Sequence, residues 1–329
     1  MKTTPATAVI LTILVLLSSS TAHAAADKLD LKLQFQKEGE LTLVTTVEQK
    51  TTRTWNDQER ESKETTSTVI GLVVVSVDDD GTATIKATSW AIALKSEGGR
   101  RSFEYDSLNP PDEVPRRAAP YAALLRKTFT MKLTPTGKVS DLEGVKAMLK
   151  AAEDAVPQEG RGRQWLIGEV KRRFGEDGLK QTMEAAFAFL PTEPVAVGDS
   201  WKRTIAGDNG VPVIAEQTYT LTKRAEGTAT IELKATLKPH EGGAAPRPGR
   251  GTVKYEISGT QKGTLTVDEA TGCLFKTTIA QELKGKMVMS GFRGDDTERS
   301  MPVKSEATIT VETHQQQMEE DTEDTPEPE

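Results

Sequence analysis

Ala229-Thr230-Ile231-Glu232-Leu233-Lys234-Ala235-Thr236-Leu237-Lys238 is the stretch that decides the fold. Apolar and polar residues alternate from one end of it to the other. Successive side chains of a strand point to opposite faces, so one face is built for a core and one for water. Parallel strands are covered on both faces and read as unbroken apolar runs. Strict alternation belongs to antiparallel sheets.

The same period recurs in both directions along the chain. Leu29, Leu31, Leu33 and Phe35 alternate with Asp30, Lys32 and Gln34. Val303, Ala307, Ile309 and Val311 alternate with Lys304, Glu306, Thr308, Thr310 and Glu312. Further strands are predicted near 41–54, 65–77, 82–94, 128–134, 199–205, 213–223, 252–267 and 274–289. Threonine is common on the polar faces, where a β-branched side chain suits a pleated surface. Asp80-Gly81, Thr136-Gly137 and Asp268-Glu269-Ala270-Thr271-Gly272 separate such runs and predict hairpin turns. Glycine there supplies the positive φ of a tight connection.

Residues 116–190 break the pattern. Ser140 and Glu143 have capping-box spacing and predict a helix running to about Val156, stopped by Pro157. Leu142, Val145, Leu149, Ala152 and Val156 share one face of it. A second helix is predicted over 162–174. A third begins near Asp177, carries Leu179, Met183, Phe187 and Leu190 on one stripe, and ends at Pro191. A short helix at 118–127 has Pro120 near its first turn. The expected class is α+β: a large curved antiparallel sheet of about ten strands, open-barrel-like, with a helical insert packed on it. The strands occupy 29–95 and 198–312, and the insert 116–190. Residues 100–116 and 240–251 read as mobile loops.

The two ends of the chain differ from its body. Lys2, the apolar run from Ala8 to Leu17, and Ala22-His23-Ala24 have the layout of a secretory signal peptide over residues 1–26. Ala24-Ala25-Ala26 offers a second cleavage point. The apolar run is about ten residues, against roughly twenty needed to span a bilayer. Cleavage near Ala24 or Ala26 predicts a periplasmic or secreted product without a transmembrane segment. At the other end, residues 315–329 hold seven acids and no base, and read as a disordered acidic tail. Without Lys2 and that tail, 41 basic residues face 42 acidic ones, so residues 27–314 form a near-neutral body expected to be a single domain. Nothing in that balance calls for nucleic acid.

Candidate chemistry is sparse. Cys273 is the only cysteine, so no internal disulfide can form, and the fold must stand on its core. A reactive thiol needs a basic partner. Cys273 instead follows Gly272 and precedes Leu274 and Phe275, as a small packed side chain would. After the leader only His240 and His314 remain, neither at metal-ligand spacing. Asp78-Asp79-Asp80-Gly81 lacks the later glutamate of a calcium loop and reads as a solvated turn. No catalytic, cofactor or metal residues are assigned, and an enzyme is not expected. Arg161, Arg163, Lys171, Arg172 and Arg173 cluster around the second predicted helix. They read as a solvated face or, functionally, as a contact for anionic headgroups.

Pro191-Thr192-Glu193-Pro194-Val195-Ala196-Val197-Gly198-Asp199-Ser200-Trp201 is the most distinctive local string, a helix stop and tight turn with Trp201 as a core plug. This string resembles a family of exported bacterial proteins of unknown function, DUF6263. Residues 129–139, the turn at 268–272 and the opening Leu31-Lys32-Leu33-Gln34-Phe35 run are similar to it as well. The resemblance implies no activity and no catalytic residues. The layout also resembles, at fold level, the open barrels of lipoprotein carriers. The expected function is therefore a non-enzymatic binding or structural protein of the cell envelope. Its partner would be a lipid or other hydrophobic ligand held between sheet and helices, or an envelope protein. The same apolar surfaces could equally close on each other as a solid core.

Overall fold

Alternation became strand almost everywhere in the computed structural model of the chain, which describes residues 27–98, 102–156, 162–208, 211–240, 252–290 and 297–315. The first strands are β1 (Glu40–Trp55), β2 (Gln58–Val77), β3 (Ala83–Glu97) and β4 (Phe103–Asp106). Next come α1 (Ala119–Ala122), β5 (Thr128–Leu133), β6 (Val139–Glu143), α2 (Val145–Ala155), α3 (Arg163–Phe174) and α4 (Glu176–Phe187). Last are β7 (Ser200–Asp208), β8 (Pro212–Ala225), β9 (Thr228–Pro239), β10 (Thr252–Asp268), β11 (Leu274–Ser290) and β12 (Arg299–Gln315).

All twelve strands belong to one antiparallel sheet of order β6-β5-β3-β2-β1-β12-β11-β10-β9-β8-β7, with β4 added on β3. β1 and β12, far apart in sequence, pair at its centre from Leu41↔Gln315 to Arg53↔Val303. The sheet is open, with β6 and β7 at its two ends. Those are the strands that flank α2, α3 and α4 in sequence, so the helices are the connection from one edge to the other.

Glycines let the sheet curl. Gly259 of β10 stands between Leu237 and Leu283, and Gly285 of β11 between Ile257 and Val303. A Cβ at Gly259 would lie 1.9 Å from the Glu282 carbonyl oxygen, and one at Gly285 2.0 Å from that of Glu256. Backbones approach this closely only where the side chain is absent, and sheets are bent at such points.

The helices are tied to both edges. The Glu184 carboxylate accepts the Val139 N–H of edge strand β6 at 3.2 Å. On the β7 side, Trp201 donates its indole N–H to the Phe189 carbonyl at 2.7 Å, and Arg203 donates to the Leu190 carbonyl at 2.5 Å. Phe187, Met183, Leu179, Val170, Ile167 and Leu124 are buried in one cluster with Leu43, Ile85, Leu221, Ile231 and Val267 of the sheet. Side chains of this size contribute roughly 1.5–3 kcal/mol each on burial.

Several expectations need correction. Ser140 and Glu143 do not cap a helix: they belong to β6, and α2 starts one turn later behind Gly144 at φ 84°. Local spacing lost here to pairing with β5. The alternating run 29–35 buries Leu31 and Leu33 as predicted, yet it is no strand of the sheet. Its backbone bonds to connecting segments instead: Leu29 exchanges both bonds with Val195, Leu33 donates to Pro135, and Gln34 donates to Thr271. The segment thereby crosses the end of the sheet that carries the hairpin turns. The loop expected at 100–116 contains β4, whose Tyr105 is buried. The helix expected over 118–127 is only the four residues of α1. The predicted leader 1–26, the tail from 316 onward and most of the 240–251 loop lie outside the described residues.

Candidate functional site

The face that carries the helices is the inner face. Its lower end holds the turns at Asp80-Gly81 and Asp268–Gly272, and its upper end the β1–β2 turn at Asn56-Asp57. Strand register sorts its side chains into levels.

The lower levels are apolar and helix-covered. Trp201, Tyr219, Leu233, Gly263, Ile279, Ile309 and Val47 lie side by side across β7, β8, β9, β10, β11, β12 and β1. Trp201 stacks on Tyr219 with ring centroids 5.9 Å apart. It is half-buried rather than a full plug, because its indole N–H reaches out to the helix exit. Burial pushes the Tyr219 phenol far above the ordinary tyrosine range, and Arg203 opposes this weakly.

One level higher the chemistry changes. Arg203, Gln217, Ala235, Gln261, Gln281, Ala307, Gln49 and Glu64 are direct cross-strand neighbours from β7 to β2. The central six read Gln-Ala-Gln-Gln-Ala-Gln and carry no charge. The amides partly satisfy each other. Gln261 donates to the Gln281 oxygen at 2.7 Å, Tyr219 donates to Gln217 at 2.9 Å, and Gln49 donates to Ser305 at 2.8 Å. The Gln261 oxygen is buried and accepts no hydrogen bond.

Above this belt the inner face of β8–β12 is apolar again except for the buried Ser305. Ala215, Leu237, Ile257, Leu283 and Val303 form a second buried cluster, and Val213, Tyr255, Met287 and Met301 pack on it half-buried. No helix among the described residues contributes to it. Methionine adapts to irregular apolar partners, and a tyrosine beside it adds a polar tip. A separate open hollow of about 790 Å³ lies between α2, α4 and edge strand β7, lined among others by Leu149, Lys180, Gln181, Thr204 and Ile205.

The candidates read from sequence are scattered. His240 is exposed at the upper end of β9, and His314 is exposed near the lower end of β12. Cys273 is buried, and that burial raises its thiol pKa. Asp80 accepts the Thr82 N–H at 2.9 Å within its turn, which lowers its carboxyl pKa, and Asp78 pairs with Lys132. No group of three or more His, Cys, Asp or Glu side chains placed to hold a metal occurs among the described residues. Three members of the basic stretch pair with acids, whereas the Arg163 Nε is buried without a hydrogen-bond partner. Lys171 pairs with Glu153 at 2.9 Å, and Arg172 and Arg173 both pair with Glu169, at 2.9 and 3.0 Å. Arg173 also reaches Thr66 of β2. The Glu169 pairs lie within α3, while Lys171 ties it to α2 and Arg173 to β2; Arg161 lies outside the described residues. The volume between sheet and helices is filled by the lower cluster. The polar belt was invisible beforehand, because no single strand displays it and only the register assembles it.

A family model described as "Family of unknown function (DUF6263)" matches residues 80–274. No curated protein matches the sequence. Among solved structures, "Lipid-protein interactions in lipovitellin" aligns at 9% identity and TM-score 0.41, covering 85% of this chain and 26% of that one. The chain thus spans about a quarter of that protein. The translocator domain of autotransporter NalP from Neisseria meningitidis aligns at 7% identity and TM-score 0.21, over 85% of this chain and 90% of that one. An outer membrane channel from Pseudomonas putida F1 aligns at 9% identity and TM-score 0.19, over 86% and 97%. No helix among the described residues is long and apolar enough to cross a membrane.

Proposed function

The chain belongs to the DUF6263 family of unknown function, and from that premise we propose that it is a non-enzymatic binding protein of the cell envelope that holds a hydrophobic ligand on the upper inner face of its sheet. One observation carries this reading. The apolar cluster of Leu237, Ile257, Leu283 and Val303, with its half-buried rim of Tyr255, Met287 and Met301, packs against no helix among the described residues, whereas the lower cluster packs against four. Tyr255, Met287 and Met301 stay half-buried at its rim, and adaptable apolar side chains of this kind suit a hydrophobic partner. The leader read in residues 1–26 supports export to the periplasm or beyond.

Native mass spectrometry of protein purified from its own envelope tests this. A non-covalent adduct of lipid mass is expected, and Met287→Lys should remove it. A clean apo mass from gentle preparations contradicts the proposal.

A second reading, a protein-interaction module, is favoured by one edge. Leu221 donates to the Asp199 carbonyl, so the odd residues of β7 face β8 and the backbones of Lys202, Thr204 and Ala206 face away. Those groups have no backbone partner among the described residues. Exposed edges recruit extended partner segments. Thr204→Pro removes an outward N–H and should abolish crosslinking to a defined envelope protein while leaving ligand adducts intact. Unchanged crosslinking removes this reading.

A further inference from the structure

We infer that the edge of β7 pairs antiparallel with β7 of a second copy of this chain, about a two-fold axis at Ile205, so that two sheets join into one; this rests on the edge reading above and names its partner.

The two ends of the sheet are built differently. β6 has five residues, its pairing with β5 shifts register between Thr130 and Lys132, and the Glu184 carboxylate takes the Val139 N–H. Shortness, irregularity and a covering group each blunt an edge. β7 has nine residues, no proline and an unbroken register with β8 from Ser200↔Thr220 to Asp208↔Pro212. A long, straight edge of this kind is a template for another strand. Space for that strand is present. On the inner side the open hollow of about 790 Å³ has Thr204, Ile205 and Ala206 along its sheet wall. On the outer side Lys202, Thr204 and Ala206 are exposed.

The strand fits itself. A two-fold interface uses the same patch on both partners, so it must be self-complementary. The even-numbered residues of β7 turn their backbone groups outward and form the hydrogen-bonded pairs of a new ladder. With the axis at Ile205, the position of Lys202 stands opposite that of Asp208 in the second copy, and Thr204 opposite its Ala206; symmetry repeats both. A lysine on an edge ordinarily repels a further strand, but here the register sets base against acid at each end of the joint, which stabilises a ladder. Centring the axis on Thr204 instead puts Lys202 opposite Ala206 and Asp208 opposite Ser200, and both charges lose their match. On the inner side Ile205 meets Ile205 at the centre, beside the hollow. Arg203 falls opposite Gly207, where no atom of the described residues lies within 4 Å of a Cβ position. The hollow is balanced in charge as well. Lys171, Arg172 and Glu184 are engaged within the chain, which leaves Lys146 and Lys180 against Glu176 and Asp177.

Analytical ultracentrifugation of the purified protein between about 1 and 100 μM tests this. The mass of two chains is expected, falling to that of one in Thr204→Pro. Lys202→Glu should weaken association about tenfold or more, and adding Asp208→Lys to the same chain should restore it. Ile205→Cys brings two thiols to a non-hydrogen-bonded antiparallel pair, about 4.5 Å apart at Cα and within disulfide range. Mild oxidation should then give a covalent dimer, whereas Ala206→Cys should not. Cys273 is buried and stays out of the reaction. The mass of one chain at every concentration overturns the second-copy inference; the edge reading then stands if Thr204→Pro still abolishes crosslinking to an envelope protein, and falls if it does not. A dimer that survives Thr204→Pro, or that crosslinks as readily through Ala206→Cys as through Ile205→Cys, overturns the β7 pairing too. The wild-type mass and the two cysteine variants decide the matter even where Thr204→Pro fails to fold.

Discussion

The lower and upper halves of one inner face solve the same problem differently. Both are apolar stripes made by the same strands. Below the glutamine belt, the stripe meets Phe187, Met183, Leu179 and Val170 and becomes a solid core. Above it, the stripe continues over Leu237, Ile257 and Leu283, and no helix among the described residues packs on it. Alternation therefore specifies that a face is apolar, and the connection between β6 and β7 specifies how much of that face is closed. The helices reach only as far as their anchors at Glu184, Phe189 and Leu190 allow.

Substitutions can break this contrast. Phe187→Ala empties a fully buried site where helix and sheet meet and should cost about 3–5 kcal/mol in urea unfolding. A loss below about 1 kcal/mol means the lower half is not the solid core described. Leu237→Ala removes a side chain just as buried, but from a cluster without a helix, and about 2 kcal/mol is expected. A cost equal to that of Phe187→Ala would erase the distinction between the halves. Trp201→Phe keeps the stacking on Tyr219 and deletes the bond to Phe189, for about 1 kcal/mol. Its effect belongs in the helix-covered half, as faster hydrogen exchange over 183–190.

pH sharpens the same point. Burial holds the Tyr219 phenol neutral beyond the range in which an unfolded tyrosine ionises, near pH 10. The folded pKa is raised, so this contribution is fully present below about pH 10 and is lost as pH rises above it. Tyr219→Phe should flatten the alkaline arm of the stability curve. Identical alkaline arms in the two proteins mean that the lower half admits water at Tyr219.

Much of this was legible in the sequence, and the failures have physical causes. The run from Ala229 to Lys238 became β9 almost residue for residue, because alternation reports burial directly. Residues 29–35 carried the same signal and still formed no strand. Alternation says which side chains are buried, but it does not say which backbone will pair, and here the partners are Val195, Pro135 and Thr271. Ser140 and Glu143 had the spacing of a cap, but β5 offered their backbone a ladder. Lys171, Arg172 and Arg173 looked like a free basic face, but Glu169 sits one turn back on the same helix as both arginines, and folding adds Glu153 of α2 against Lys171. The glutamine belt joins residues from 49 to 281 and exists only in the register. Trp201 was seen as structural, but the bond that makes it a clasp on the helix exit was not readable from its neighbours.

Hydrogen exchange on the purified protein probes the difference between the halves most directly. The slowest exchange is predicted in the helix-covered half, over 166–170, 179–187, 229–233 and 263–267, with faster exchange in the upper parts of the central strands, over 253–259, 283–289 and 299–305. Equal protection of the two halves, or faster exchange in the lower one, contradicts a lower core closed by helices beneath an upper half held by the sheet.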